Sequence, residues 1–170
     1  MNKVKVAFLD RDGVLNLKMN EGYVGFKKYF KWIPGAKKTI KYLKNNNYKV
    51  VVVTNQSGVA RGYFKIKDVL SLHKFMNVQL KKINTKIDHF LFCPHHIDGI
   101  IKKYKKKCSS RKPNNGMYKI IAKKYYIDRK NSFMIGDQLT DLMFAKKSGI
   151  AGYLFQEKNT YQFIKKIPLE

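Results

Sequence analysis

The run "YKVVVVTN" (48–55) constrains this chain more than any other stretch. Four consecutive valines cannot alternate between a core and a wet face. They suit a strand buried on both sides, as in parallel sheets covered by helices. Other segments fit that reading. Residues 4–9, 87–92, 132–137 and 150–155 read as further strands. Between them lie stretches with helical spacing. Pro34 and Gly35 open a helix over 36–46, with Ile40 and Leu43 on one face. Val69, Leu72, Met76, Leu80 and Ile83 mark one face of a long helix over 68–83. Helices are also expected over 116–126 and 139–148, the latter stopped by Gly149. Residues 93–115 read as a long irregular loop. Strand and helix in turn give an α/β fold: a Rossmann-like, mostly parallel sheet with helices on both faces. No repeat or linker breaks residues 1–170, so one domain without a separate cap is expected.

Length and charge narrow the function. At 170 residues the chain can bury a sizeable core. It carries 36 basic and 11 acidic residues, a net charge of +25. Such a surplus invites a nucleic-acid partner. Yet only Arg11, Arg61, Arg111 and Arg129 are arginines, and the rest are lysines, many on expected helix faces (Lys37, Lys38, Lys41, Lys44). Specific readers of phosphate and base edges lean on arginine's bidentate fork. The surplus reads as solvated faces whose field draws in small anions. A nucleic-acid binder or polynucleotide 3′-phosphatase stays as the alternative of another class. No stretch approaches the roughly 20 apolar residues of a membrane span. Asp10 interrupts any apolar run near the start, so a cytoplasmic protein, with no membrane partner, is expected. A monomer is the expectation.

Ligands of open parallel sheets bind at the carboxyl ends of the strands. Asp10 and Asp12 end the first strand, Thr54, Asn55 and Gln56 the second, Cys93 the third, and Asp137 the fourth, with Asp141 just after. Carboxylates crowded at one rim repel each other unless a cation joins them. Oxygen ligands of this kind suit Mg²⁺, which also takes a substrate phosphate. A carboxylate there can attack phosphorus, and a second acid can move the proton. Thr54 and a lysine would stabilise the transferring group, and the long loop offers Arg111 and Lys112. Aspartates at strand ends also serve simply as caps and turns. Against that bland reading, a chain with so few acids gathers four of them at strand ends.

"FLDRDGVLN", "VTNQSGVARGYF", "CPHH…RKPNNGM" and "MIGDQLTD" resemble, in that order, the signature segments of the haloacid dehalogenase-like phosphatases. More narrowly they are similar to the branch that holds histidinol-phosphate and heptose bisphosphate phosphatases. The resemblance implies an aspartyl-phosphate mechanism on a small sugar phosphate in nucleotide-activated heptose synthesis. Histidinol phosphate or another small phosphomonoester is the alternative substrate. It implies Asp10 as nucleophile, Asp12 as acid and base, and Thr54 and Lys112 as phosphoryl stabilisers. Asp10, Asp12 (through its backbone oxygen) and Asp137 would hold magnesium. Asn55, Gln56, Arg111 and Gln138 would contact substrate, as would residues 18–21. Two positions depart from the pattern: Val14 replaces a usual threonine, and Gln138 stands where heptose-type enzymes often carry lysine.

Twelve residues separate His95 from Cys108, a gap that resembles the heptose type. Cys93, His95 and Cys108 have the makings of a structural zinc site, since zinc favours four S or N ligands. The fourth position holds Ser110, a poor ligand. Water or His96 would have to complete it, and the alternative is two plain thiols. His73 and His89 read as packing or surface residues.

Overall fold

In the computed structural model, which describes residues 2–20 and 22–169, the valines at 50–53 are all fully buried and serve two cores. Val50 and Val52 pack with Ala7 and Leu9 on one side of a sheet. Val51 and Val53 pack with Val6 and Phe8 on the other. Burying each such side chain is worth about 1.5 kcal/mol or more. The sheet holds five parallel strands: β1 (Val6–Leu9), β2 (Lys49–Asn55), β3 (His89–Cys93), β4 (Phe133–Gly136) and β5 (Ala151–Leu154). Their spatial order is β3-β2-β1-β4-β5.

Helices cover both faces. On the first core lie α1 (Ala36–Asn45), α2 (Ile66–Lys81) and α5 (Thr160–Ile164), through Ile40, Leu43, Leu72, Met76 and Ile164. On the second lie α3 (Gly116–Ala122) and α4 (Leu139–Ser148), through Met117, Ile121 and Phe144. The α/β fold expected from the alternating pattern is the fold observed. The stretch between β3 and α3, residues 94–115, carries only a 3₁₀ turn at Lys102–Tyr104, and no cap is built on the sheet among the described residues. No helix among them is long and apolar enough to cross a membrane.

Some boundaries move for local reasons. α2 starts at Ile66 rather than 68, because Asp68 sits inside the first turn and accepts the Lys65 N–H at 2.7 Å. α3 stops at Ala122 rather than 126, and the Tyr126 carbonyl accepts the N–H of Val4 instead. α5 and a 3₁₀ turn at Lys27–Tyr29 were not anticipated. The Asn159 side chain caps α5 by accepting the N–H groups of Tyr161 and Gln162, a signal that "KNT" carried.

β1 sits at the centre. The chain leaves it toward β2 on one side and pairs it with β4 on the other, so the strand order reverses between β1 and β4. A crevice at such a point is where open α/β sheets place ligands. Leu9 pairs with Ile135, and the Asp10 N–H donates to the Ile135 carbonyl at 2.9 Å. The two acidic strand ends are thereby fixed side by side.

Candidate active site

A cleft of about 230 Å³ opens over those strand ends, and Asp10, Asp12, Thr54, Asn55, Lys112 and Gln138 all line it. At its floor, the Lys112 ammonium lies 3.0 Å from Asp10 Oδ1 and 2.6 Å from Asp141 Oδ1. All three side chains are largely buried, so these attractions are poorly screened. The Asp10 carboxyl is raised to about 7: burial pushes it up most, Lys112 pulls it down, and Asp141 and Asp12 add to the rise. Burial works against the Lys112 charge too, but Asp10 and Asp141 outweigh it and leave its pKa raised.

Lys112 comes from the long loop, and Asn55 holds it there. The Asn55 amide donates to the Lys112 carbonyl and accepts the Lys112 N–H, both at 3.0 Å. This pair of bonds joins the loop to the end of β2 as a ladder would. Asp141 enters from the first turn of α4 and accepts the Gln138 N–H at 3.1 Å. Gly136 makes that approach workable, because a Cβ there would collide with the Asp141 side chain.

Asp12 is oriented from behind. Its carboxylate accepts from Arg11 Nη2 on both oxygens at 3.1 Å, from Asn16 at 2.9 Å and from Gln56 at 2.8 Å. Arg11 is fully buried and also donates to the Val24 carbonyl at 2.6 Å and to Gln56 Oε1 at 3.2 Å. His73 closes this layer, with Nε2 3.5 Å from Arg11 Nη1 and its ring stacked on Phe90 at 4.5 Å. Burial, helped by the Arg11 charge, pushes the His73 pKa down to about 3. His73 is thus a packing residue. Sequence reasoning counted Asp141 among the acids at the rim but missed its pairing with Lys112, and it assigned Arg11 no role.

Two expected substrate contacts are placed elsewhere. Gln56 is buried behind Asp12, donates also to Thr54 Oγ1 at 2.8 Å, and does not line the cleft. Arg111 is half-buried, donates to the His95 carbonyl at 3.3 Å, and does not line it either. Of the 18–21 stretch, Lys18 and Met19 line the cleft, and Glu21 lies outside the described residues. Val14 is buried in the first core, so the apolar replacement is accounted for by packing.

The acidic cluster fits a magnesium ion. Carboxylate oxygens of Asp10, Asp137 and Asp141 lie within 4.8 Å of one another. Asp137 Oδ1 is buried with no hydrogen-bond donor, the state of an oxygen that a cation would complete. Asp137 Oδ2 accepts from Lys18 Nζ, and from Gln138 Nε2 at 3.4 Å. A second cluster joins Cys93, His95 and Cys108, whose ligand atoms also lie within 4.8 Å of one another. Burial pushes the Cys93 thiol up to about 12. His96 is not part of that cluster; its Nδ1 accepts the Asp98 N–H at 3.0 Å.

Against known proteins, the model of the family described as polynucleotide kinase 3 phosphatase matches residues 5–163. The chain belongs to this family of haloacid dehalogenase-like phosphatases. The phosphatase is 42% identical over 164 residues to D-glycero-beta-D-manno-heptose-1,7-bisphosphate 7-phosphatase of Rhodopseudomonas palustris, covering 96% of this chain and 90% of that one. It is 39% identical to the corresponding alpha-heptose enzyme of Photorhabdus laumondii, over 88% of this chain and 80% of that one. Among solved structures, D,D-heptose 1,7-bisphosphate phosphatase from B. bronchiseptica, complexed with magnesium and phosphate, superposes with a TM-score of 0.81. That match has 33% identity and covers 98% of this chain and 89% of the other. The phosphatase is therefore a phosphoric monoester hydrolase, and the resemblance drawn from the motifs holds.

Proposed function

We propose that this phosphatase removes one phosphate from a D-glycero-D-manno-heptose 1,7-bisphosphate, on the way to a nucleotide-activated heptose. The observation that carries the chemistry is Lys112 bridging Asp10 and Asp141 beneath a cleft that Asp12 also lines. Relatives near 40% identity over most of the chain, all named for this reaction, support the substrate. A likeness to a solved RNA repair complex, at 14% identity, speaks for the fold alone.

In this reading an Asp10 oxygen attacks phosphorus and the bond from phosphorus to the sugar oxygen breaks. Asp12 gives the departing oxygen its proton. Asp12, now a carboxylate, takes a proton from water as that water attacks the aspartyl-phosphate. The phosphorus–Asp10 bond breaks, phosphate leaves, and both acids return to their first states. Lys112 and Thr54 stabilise charge on the phosphoryl oxygens. Asp10, Asp137 and the Asp12 backbone oxygen would hold magnesium, which when bound neutralises the phosphate and the clustered carboxylates. Asn55 acts by fixing Lys112, and Gln138 faces the substrate. Cys93, His95 and Cys108 would hold a structural zinc ion, which when bound would keep the Arg111–Lys112 loop in place. Two free thiols fit a reducing, cytoplasmic setting.

Phosphate release tests the reading. The protein is assayed with both anomers of the heptose bisphosphate, histidinol phosphate, fructose bisphosphate and a 3′-phosphorylated oligonucleotide. One heptose anomer should exceed every other substrate in kcat/KM by about tenfold or more, a 1.4 kcal/mol preference. A higher value for histidinol phosphate or the oligonucleotide overturns it.

A further inference from the structure

The chain has two cysteines, and they meet beside the catalytic lysine. Cys93 ends β3 and is buried. Its register partner on β2 is Asn55, the residue that holds Lys112. Cys108 is half-buried in the long loop, in the turn that leads to Lys112. The two sulfurs lie within 4.8 Å of each other. Backbone bonds set this approach. The ladder to β2 fixes Cys93, and the Cys108 carbonyl accepts the Arg111 N–H at 3.1 Å and the Asn114 side-chain amide at 3.2 Å.

Each cysteine is tied to a different part of the site. The Cys93 carbonyl accepts the Gln56 N–H at 2.8 Å, and the Gln56 side chain donates to Asp12. The turn after Cys108 carries Lys112, which bridges Asp10 and Asp141. A bond between the sulfurs draws them together. β3 is held in the sheet, so the Cys108 turn is the part that moves, and Lys112 moves with it. The cluster offers three ligands rather than the four of a closed zinc site, and part of Cys108 is exposed to small reagents.

We propose that Cys93 and Cys108 form a redox switch: hydrogen peroxide oxidises Cys108, Cys93 closes a disulfide onto it, and the bond pulls Lys112 off Asp10 and Asp141 so that turnover stops. In the first step the O–O bond breaks, the Cys108 thiol becomes a sulfenic acid, and one water leaves. In the second the Cys93 sulfur attacks the Cys108 sulfur, the S–O bond breaks, and the hydroxyl leaves as water with the Cys93 proton. The thiol pair gives up two electrons and two protons, and one peroxide becomes two waters. Zinc held by the cluster is released, because the thiolates that bound it are consumed. A dithiol reverses the switch by exchange. The loss of turnover rests on the role given to Lys112 in phosphoryl transfer.

The test exposes the full chain, as purified and after dialysis against EDTA, to hydrogen peroxide. Catalase then quenches the reaction and N-ethylmaleimide alkylates what remains. Mass spectrometry should show an unalkylated chain, lighter by the hydrogens lost, with the Cys93 and Cys108 peptides joined. Turnover is read with MgCl₂ on whichever ester of the panel above is cleaved fastest, so the outcome does not depend on the sugar. The loss should follow the joined fraction. The disulfide form should be slower by about 10²-fold, the cost of misplacing a reacting group by about 1 Å. Dithiothreitol, with one equivalent of zinc, should restore activity to within about twofold. Cys93→Ser and Cys108→Ser should each keep their own activity within about twofold through the same peroxide treatment. Thiols that stay separately alkylated overturn the proposal. So does a disulfide with full turnover, or a loss that dithiothreitol does not reverse, which is the mark of methionine or sulfinic-acid oxidation. If unoxidised Lys112→Met keeps full turnover, the role given to Lys112 fails on its own, and the joined peptides still decide whether the pair closes.

Discussion

The guanidinium of Arg11 donates to both carboxylate oxygens of Asp12 at 3.1 Å from a position with no solvent exposure. A buried charge is tolerated only when its partners are in place. Here those partners also tie Asp12 to Gln56 and to the Val24 carbonyl, across three separate segments. The residue between the two motif aspartates therefore aims the second one.

Removing that aim should cost turnover more than binding. Arg11→Lys keeps a charge but not the fork, and a misplacement of about 1 Å at a reacting group costs on the order of 10²-fold in rate. We expect kcat to fall by that order with KM little changed. Arg11→Met should in addition lose stability by roughly 2–4 kcal/mol, since Gln56 and Val24 lose a buried donor. Steady-state kinetics and urea unfolding measure the two effects. A KM rise with kcat intact would mean that Arg11 serves binding instead.

Asp10→Asn separates chemistry from burial. The amide is nearly isosteric but cannot attack phosphorus, so turnover should vanish while the fold stays. A variant that keeps about a tenth of wild-type activity rules out Asp10 as nucleophile. The same substitution should stabilise the magnesium-free protein at high pH. Asp10 has a folded pKa of about 7 against an ordinary 3.8. Between those values the folded state holds a proton that the unfolded chain has shed, so wild type loses stability as pH rises through the window. Asp10→Asn lacks that titration and should gain about 2–4 kcal/mol over wild type at pH 8 and little at pH 4. Urea unfolding in the presence of EDTA at both pH values checks it.

The fold was legible because its strongest signals are physical necessities. Valines 50–53 leave no choice but a two-sided burial, and the apolar spacing from Val69 to Leu80 leaves none but a helix. That Asp10, Asp12 and Asp137 share one rim was legible from acids gathered at strand ends, and Lys112 entered through the resemblance carried by "RKPNNGM". Arg11, the pairing of Asp141 and the inward turn of Gln56 were not legible. Their roles depend on which way a side chain leaves the rim, and a one-dimensional pattern does not encode that direction. Asn55 shows the same limit: its position at a strand end was plain, but its two bonds to the Lys112 backbone come from a loop 57 residues away.

His73 should make stability depend on pH in the opposite sense. It is held neutral in the fold, with a pKa of about 3 against 6.5 in the unfolded chain. The unfolded state binds a proton that the folded state refuses, so the stabilisation is complete above pH 6.5 and lost as pH falls toward 3. His73→Gln has no such titration. The stability difference between wild type and variant should shift against wild type by about 1.4 kcal/mol per pH unit below 6.5. Urea unfolding at pH 7 and pH 5 measures this. A difference that is constant with pH would mean that His73 titrates normally in the fold.

The zinc cluster offers the sharpest contest between opposing terms. Cys93 Sγ lies 3.8 Å from His95 Nδ1, and Cys108 completes a set within 4.8 Å, so three soft ligands already converge. Against them stand a Cys93 thiol pushed up to about 12 by burial and the exposed Lys102, Lys103, Lys105, Lys106 and Lys107. A bound zinc ion would displace the thiol protons, and the proposed site requires that its affinity for thiolate outweigh a surface repulsion that salt screens. Protein purified without chelator should therefore carry close to one equivalent of zinc by elemental analysis. Ser110→Cys should supply a fourth ligand, the third thiolate of the set, and raise by about tenfold the chelator concentration needed for half release, as expected when an open site becomes a closed tetrahedral one. Less than about a tenth of an equivalent in wild type, with activity intact, would show that the loop presenting Arg111 and Lys112 orders itself without metal.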